Sequence, residues 1–415
     1  MVNKLPANWK LKTLSEVGNI ILGGTPDTTK KEYWNGNILW VIPSEVTSLP
    51  SKYLYDTERK ITELGLKNSS AKIIKPNSLI ICTRATIGNC CINKNEVATN
   101  QGFKSIIPNE DYDVVFLYYL IINNKQKLIS KASGTTFLEI SKTNLANLSF
   151  YFPPLYEQKR IASALSKIDE YLENTIKLIE EKERFKRGIA KKLLTCKEGE
   201  NIPEARFKGF EDEWEIVKLG DIGTITATGV DKKINDNETP IKLLNYLDVF
   251  NRNKLYEKEI SYMTTATEKQ LEKCNIRKGD LFITPSSEDK KGIAKSSVAM
   301  EDFKNTVYSY HIIRVRFNRE IDLKFKSYMC DTDFFHRQAY RLCDGSGQRY
   351  FIKLDNFRNM EICIPKSIKE QEKIGGYLSL LDAEIDNLKK QKELIKEMKR
   401  GAMQKLLSGE VRLLE

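Results

Sequence analysis

Two kinds of hydrophobic pattern alternate along the chain. Short apolar runs bounded by Gly, Pro and Asn give way, twice, to a long stretch in which apolar residues recur every three or four positions. In the first stretch these are Ile161, Leu165, Ile168, Leu172, then Thr175 or Ile176, and Ile179. In the second they are Ile374, Leu378, Leu381, Ile385 and Leu388, with Ile395 and Met398 after a polar gap. This spacing predicts coiled-coil helices with charged flanks. The short runs, such as Ile38-Leu39-Trp40-Val41-Ile42 and Leu79-Ile80-Ile81-Cys82, predict strands, and residues 114–128 predict a helix. Pro153-Pro154 precedes the first long helix, where a missing backbone N–H costs nothing.

The two long stretches are copies. Residues 157–195 align without a gap on residues 370–408, and 15 of 39 pairs are identical. The identities include Glu157/Glu370, Gln158/Gln371, Asp169/Asp382 and Lys186-Arg187-Gly188 against Lys399-Arg400-Gly401. The segments ahead of them repeat more loosely: residues 9–18 match 214–223, 74–81 match 276–283, and 144–148 match 356–360. The expected fold is α+β. Two similar globular α/β domains are separated by two long helices that form an antiparallel coiled coil, an internal repeat about a pseudo-two-fold axis. The expected boundaries are 1–153 for the first globule and 154–197 for the first helix. Residues 198–365 are then a linker and the second globule, and 366–415 the second helix and tail. Matched seams make each helix the natural cover for the other; the blander reading has each helix packing on its own globule. Antiparallel pairing would put the globules at opposite ends, which suits reading two separated half-sites on one DNA duplex.

Composition narrows the classes. A chain of 415 residues can bury two sizeable cores. Its net charge of +11 favours a polyanionic partner, because neutralising phosphates releases counterions. No apolar run approaches the roughly 20 residues of a membrane span, and the first residues lack the apolar core of a signal peptide. A cytoplasmic protein is expected. The eight cysteines include no CxxC pair, and the two histidines are His311 and His336. Reduced thiols and no metal site are the expectation.

Enzyme signatures do not assemble. Phe152-Pro153-Pro154-Leu155 lacks the polar residue and the aromatic that an amino-methyltransferase needs to hold its target amine. A phosphate-cradling GxxxxGK[ST] loop is absent. Asp27 with Glu58-Arg59-Lys60, and Asp280 with Glu288-Asp289-Lys290, fit a metal-nuclease spacing only loosely, in a chain with 30 % charged residues. No catalytic residue is expected. Candidates for DNA contact are clearer, since Arg, Asn and Gln pair with base edges while Lys, Ser and Thr hold phosphates. In the first globule they are Thr25, Lys30, Lys31, Tyr33, Arg84, Thr86, Asn100, Gln101, Lys104, Thr135 and Thr136. In the second they are Ser286, Ser287, Lys290, Lys291, Tyr308, Tyr310, His311, Ser346, Gln348, Arg349 and Tyr350. The blander reading makes Asn100 and Gln101 turn residues and the lysines solvated charge. The basic helix ends, Lys186-Arg187 and Lys399-Arg400 among them, suit a helix C-terminus or a partner contact.

Several segments together resemble the specificity subunit of type I restriction–modification systems. They are LPANWKLKTLSEVG (5–18), GGTPDTTKKEYWNGNILWV (23–41), CTRATIG (82–88), ATNQGFKSIIP (98–108) and PPLYEQKRIASALSKID (153–169). The second half repeats the pattern with EWEIVKLGDIG (213–223), IPKSIKEQEKIGGYLSLLD (364–382) and GEVRL (409–413). The resemblance spans essentially the whole chain, although no GGTP loop follows Gly223. It implies that each globule is a target recognition domain for one half of a bipartite, asymmetric DNA site. It implies spacer helices that set the gap between half-sites. It also implies a non-catalytic subunit that recruits two methyltransferase subunits using S-adenosylmethionine, with ATP- and Mg-dependent restriction subunits as further partners. A helix of about 35 residues is roughly 50 Å long, enough to bridge half-sites roughly 34–36 Å apart. The competing readings are a stand-alone DNA methyltransferase or nuclease, and a coiled-coil adaptor that never reads DNA.

Overall fold

A computed structural model describes residues 6–134, 138–197, 199–347 and 349–413. It divides into two compact units, Met1–Ile176 with Lys390–Glu415, and Lys177–Lys389. The two long helices, Leu155–Leu194 and Ile368–Leu407, are each 40 residues long. Each unit thus takes up the first part of one long helix and the last part of the other.

The first unit is centred on a five-stranded mixed sheet. Its strands are β1 (Gly18–Leu22), β2 (Tyr53–Leu54), β3 (Leu79–Cys82), β4 (Cys90–Asn93) and β5 (Phe103–Pro108), in the order β1-β5-β3-β4-β2. All pairs are antiparallel except β4 with β2. β3 is buried at every position, as its unbroken apolar run requires of a strand covered on both faces. Leu79 and Ile81 turn to one side, with Ile92, Ile106 and the helix Val114–Asn123. Ile80 and Cys82 turn to the other, against Val41 and Val97 of the three-stranded sheet Lys60–Ile61, Trp34–Val41, Val97–Thr99.

The second unit repeats this plan. Strands β6 (Gly223–Thr226), β7 (Lys254–Leu255), β8 (Leu281–Ile283), β9 (Ser296–Ala299) and β10 (Ile313–Phe317) lie in the order β6-β10-β8-β9-β7. Leu281 and Ile283 again face one core and Phe282 the other. Each unit has a two-stranded ribbon joining the start of its globular part to the strand ahead of the following long helix: Lys10–Thr13 with Ser149–Phe152, and Glu215–Lys218 with Glu361–Ile364. One element differs. In the second unit Ser286–Ser287, Arg349–Phe351 and Asp344–Ser346 form a further three-stranded sheet. In the first, the described residues show single bridges from Glu139 to Arg84 and to Ser133 at the comparable place.

The repeated Glu-Gln pairs root the helices. Gln158 Oε1 accepts the Asp113 N–H at 3.0 Å while its Nε2 donates to the Pro153 carbonyl at 2.9 Å. Asp113 in turn caps the helix Val114–Asn123 through the Phe116 N–H. Gln371 does the same with the Asp322 N–H and the Pro365 carbonyl, both at 2.8 Å, and Asp322 caps Leu323–Met329. Within each unit the two helices run antiparallel. Asp169 meets Lys399 and Tyr171 meets Gln391 in the first; Lys182 meets Glu384, Glu183 meets Lys389 and Lys186 meets Asp382 in the second.

The seam positions serve two roles. Ile161, Leu165 and Ile168 join the first unit's core together with Met403, Leu406 and Leu407 of the other helix. Ile374 and Leu378 join the second unit's core with Leu193 and Leu194. Ile179, Leu381, Ile385 and Ile395 are buried, and Leu172 and Leu388 half-buried. Two details depart from simple periodicity. Thr175, not Ile176, turns inward, donating its hydroxyl to the Tyr171 carbonyl. Met398 is 49 % exposed, because Lys399 takes the inward place at that turn to reach the buried Asp169.

Candidate nucleic-acid interface

In the first unit the surface is built on Glu139. The buried Lys104 donates to Glu139 Oε1 and to Thr83 Oγ1, each at 3.1 Å. The second carboxylate oxygen of Glu139 pairs with the Arg84 guanidinium at 3.2 Å. Arg84 is about half exposed, so an interior lysine and a surface arginine share one carboxylate. The guanidinium is thereby held at the protein surface in a defined orientation, which a bidentate contact to a base or phosphate requires. Nearby, Thr25 donates to the Gln101 side chain, and Asn100 Oδ1 accepts the Gly102 N–H at 2.9 Å to close the turn before β5. Lys30 and Lys31 are exposed, and Lys30 Nζ lies 3.3 Å from the Tyr33 hydroxyl. That hydrogen bond raises the Lys30 pKa, so its charge is present throughout the physiological range.

In the second unit the extra sheet borders a groove of about 610 Å³. Arg349, exposed, donates to Ser286 Oγ at 3.2 Å. His311 lies in the same groove, its ring 4.0 Å from that of the exposed Tyr310. Burial, with Lys232 and Arg349 adding, lowers the His311 pKa, so its imidazole is neutral at pH 7. Tyr246 and Phe250, stacked at 5.6 Å on the short helix Tyr246–Phe250, and the exposed Leu247 also line the groove. Lys290 Nζ sits over the Tyr350 ring at 5.3 Å. Ser287 is half-buried and Ser346 exposed. Glu288 and Asp289 line the groove as well, so its charge is mixed.

Not every candidate reaches a surface. Tyr33 is buried, its ring packed within the fold. Lys104 is buried because Glu139 and Thr83 satisfy its ammonium inside. Tyr308 is fully buried, with Thr226 at its hydroxyl and the Arg314 guanidinium over its ring. These three residues are interior props rather than contact residues. Thr86 is half-buried beside Arg84. Thr135, Thr136 and Gln348 lie outside the described residues, as does the side chain of Lys291. Sequence reasoning passed over Glu139, whose role depends on a partner 55 positions away; it also missed the Tyr246–Phe250 wall and Arg59, stacked 4.3 Å over Trp34. An aromatic pair four residues apart just after a strand was the available signal for that wall.

A second constellation recurs at the helices. The Tyr119 hydroxyl donates to Asp169 at 2.5 Å, beside Lys52 at 3.3 Å and Lys399 at 2.5 Å, with Ser166 within 3.3 Å of the hydroxyl. In the second unit Tyr328 donates to Asp382 at 2.5 Å, beside Lys186 and with Lys254 at 3.6 Å, and Ser379 lies 3.2 Å from the hydroxyl. The two clusters use the same residue types at positions 213 apart on the helices. They are ion-pair joints between the helices and the globular part of each unit. Among the described residues, no group of three or more His, Cys, Asp or Glu is arranged to hold a metal ion.

Residues 6–181 and 211–397 each match the type I restriction modification DNA specificity domain. The chain belongs to the type I restriction–modification specificity family. Its relatives include the MjaIX specificity subunit of Methanocaldococcus jannaschii, 27 % identical over 429 residues that cover 100 % of this chain and 96 % of that protein. The EcoR124I/EcoR124II specificity subunit of Escherichia coli is 33 % identical over 166 residues, 38 % of this chain and 40 % of that protein. The fold is that of a solved S subunit from M. genitalium (TM-score 0.56, 16 % identity, 98 % of this chain and 97 % of that one). A chain from a structure describing assembly and conformational transition of the type I system superimposes with TM-score 0.62, at 19 % identity, over 98 % of this chain and all of that one. As a specificity subunit the protein is a non-catalytic DNA-recognition component, and its family implies DNA and methyltransferase partners. No described helix is long and apolar enough to cross a membrane.

Proposed function

We propose that this specificity subunit reads a bipartite, asymmetric DNA site, one half with each globular domain. The domains are residues 1–153 and 198–365, and the helical segments 154–197 and 366–415 fix the gap between the half-sites. The observation that carries this reading is the pairing of a repeated framework with divergent surfaces. The same five-stranded sheet supports an Arg84–Glu139 surface in one unit and an aromatic groove with Arg349 in the other. Arg84, Lys30, Lys31, Thr25, Thr86, Asn100 and Gln101 are the reading and clamping set of the first domain. Arg349, Ser286, Ser287, Lys290, Tyr310, His311, Ser346 and Tyr350 are that of the second. Two arginines in different settings would favour different base edges, since each pairs bidentately with guanine only where the register permits.

The subunit recruits two methyltransferase subunits, which bring S-adenosylmethionine, and it joins restriction subunits that use ATP and Mg. Exposed apolar residues at equivalent helix positions, Phe185 and Met398, support one docking site in each unit. The test is to express the chain with a methyltransferase subunit of its own system and sequence the modified DNA. A two-part motif that requires the chain supports the reading. A complex that assembles and binds DNA without sequence preference leaves the adaptor reading instead.

A further inference from the structure

We propose that Cys196 and Cys363 form a redox pair that hydrogen peroxide converts into a disulfide, fastening the exit of the first long helix to the strand that leads into the second. Both cysteines belong to the second unit. Cys196 stands two residues beyond the end of Leu155–Leu194, and Cys363 lies in the strand Glu361–Ile364. Their Sγ atoms are 3.0 Å apart, so little motion separates them from the ~2.05 Å of a bonded pair. Both are half-buried and border a cavity of about 950 Å³ that also touches Lys197, Asn201 and Tyr340. A molecule the size of peroxide reaches the sulfurs without unfolding.

The other thiols lack this setting. Cys82, Cys90, Cys91, Cys274 and Cys330 are buried, and burial pushes Cys82 up to about 11 and Cys330 up to about 12. Cys343, half-buried, donates to the Tyr340 carbonyl. At Cys196 the hydrogen bond from Cys363 lowers the thiol pKa, the nearby Arg206 guanidinium adding to it, and together they outweigh burial. Cys196 is therefore the nucleophile, since the thiolate is the reactive form. Its sulfur attacks one peroxide oxygen, the O–O bond breaks, and hydroxide leaves to take up a proton as water. Cys196 is now a sulfenic acid. The Cys363 sulfur, losing its proton, attacks Cys196 Sγ; the S–O bond breaks and a second water leaves. Two thiols and one peroxide give one disulfide and two waters.

The pair is peculiar to the second unit. The ribbon register places Tyr151 where Cys363 stands, opposite Leu11 as Cys363 is opposite Ile216, and Gly409 is the helix-repeat equivalent of Cys196. The bond would close a loop between residues 167 apart and add to the linker's existing anchors, which include the Arg206–Glu370 ion pair at 2.7 Å and the backbone bonds from Glu204 and Ala205 to the Thr195 and Lys192 carbonyls.

The test uses the full chain. It is treated with graded hydrogen peroxide, remaining thiols are blocked with N-ethylmaleimide, and peptides are mapped without reductant. A Cys196–Cys363 cross-linked peptide should appear at the lowest effective dose and separate with dithiothreitol. Tryptic cleavage after Lys197 should slow several-fold in the oxidised protein, and Cys363→Ser should abolish both effects while leaving a Cys196 sulfenic acid that dimedone traps. Maleimide label on both cysteines after oxidation, or Cys196 driven to sulfinic acid with Cys363 still free, overturns the pairing. A cross-link that leaves the tryptic cut unchanged overturns the fastening.

Discussion

Asp169 is buried among Tyr119, Lys52 and Lys399, and Asp382 is half-buried among Tyr328, Lys186 and Lys254. Burial alone would raise both carboxyl pKa values, but the hydrogen bonds and ammonium groups win and both are lowered. A carboxyl whose folded pKa lies below its unfolded value of about 3.9 stabilises fully above that value, and its contribution is lost as pH falls through the depressed folded value. Removing it strands charged and hydroxyl groups in a poorly hydrated site, so Asp169→Ala should cost about 3 kcal/mol in chemical denaturation. Acid titration of stability should then be shallower below pH ~4 in the variant than in the parent; equal slopes would deny the cluster its role. At the surface, Arg349→Ala should weaken recognition of one half-site by about 1–3 kcal/mol and leave the other unaffected, as read by binding to half-site variants. The sequence repeat displayed Asp169/Asp382 and Lys186/Lys399 as equivalent pairs. It could not display Tyr119, Tyr328, Lys52 or Lys254, whose partners lie 50 or more positions away and are joined only by folding.

The helices and the segments after them exchange anchors. Glu157, buried at the start of the first helix, is held by Arg412 from the tail that follows the second, at 2.6 Å and 2.8 Å, and accepts from Trp9 Nε1. Glu370, buried at the start of the second, is held by Arg206 from the linker that follows the first, at 2.7 Å and 2.9 Å. Truncating the chain after Gly409 should therefore destabilise the first unit by about 3 kcal/mol, because a buried carboxylate loses its partner. Hydrogen exchange should localise the loss to Trp9 and the Glu157 turn, with Lys177–Lys389 unchanged. The helix periodicity read the two 40-residue elements correctly from the alternation of threes and fours. It misjudged Met398, since a polar side chain reaching a buried acid overrides apolar spacing. Deleting four residues within 173–177, with the matching four within 386–390, removes about one helical turn, ~6 Å. The gap between half-sites should shrink by roughly two base pairs, and methylation mapping of an active variant with an unchanged gap would contradict the spacer role.

Across the molecule, sheet order, ribbon, helix root and ion-pair joint all recur, while the surfaces carrying Arg84 and Arg349 do not. The framework was legible because its residues repeat in sequence. The surfaces were legible only as divergence: their geometry depends on long-range supports such as Lys104 and Glu139, and burial withdrew Tyr33, Lys104 and Tyr308 from the candidates. A shared scaffold with exchanged surfaces predicts that the two halves are separable in specificity. The most direct measurement is single-molecule methylation sequencing of DNA from cells carrying this chain and its methyltransferase, compared with cells carrying a version whose second domain, residues 198–365, is replaced by a second copy of the first. The parent should give a two-part asymmetric motif with a fixed gap, and the exchanged version a motif in which the first half appears twice, inverted, across the same gap. A single undivided motif in the parent, or an unchanged motif after the exchange, would contradict the account.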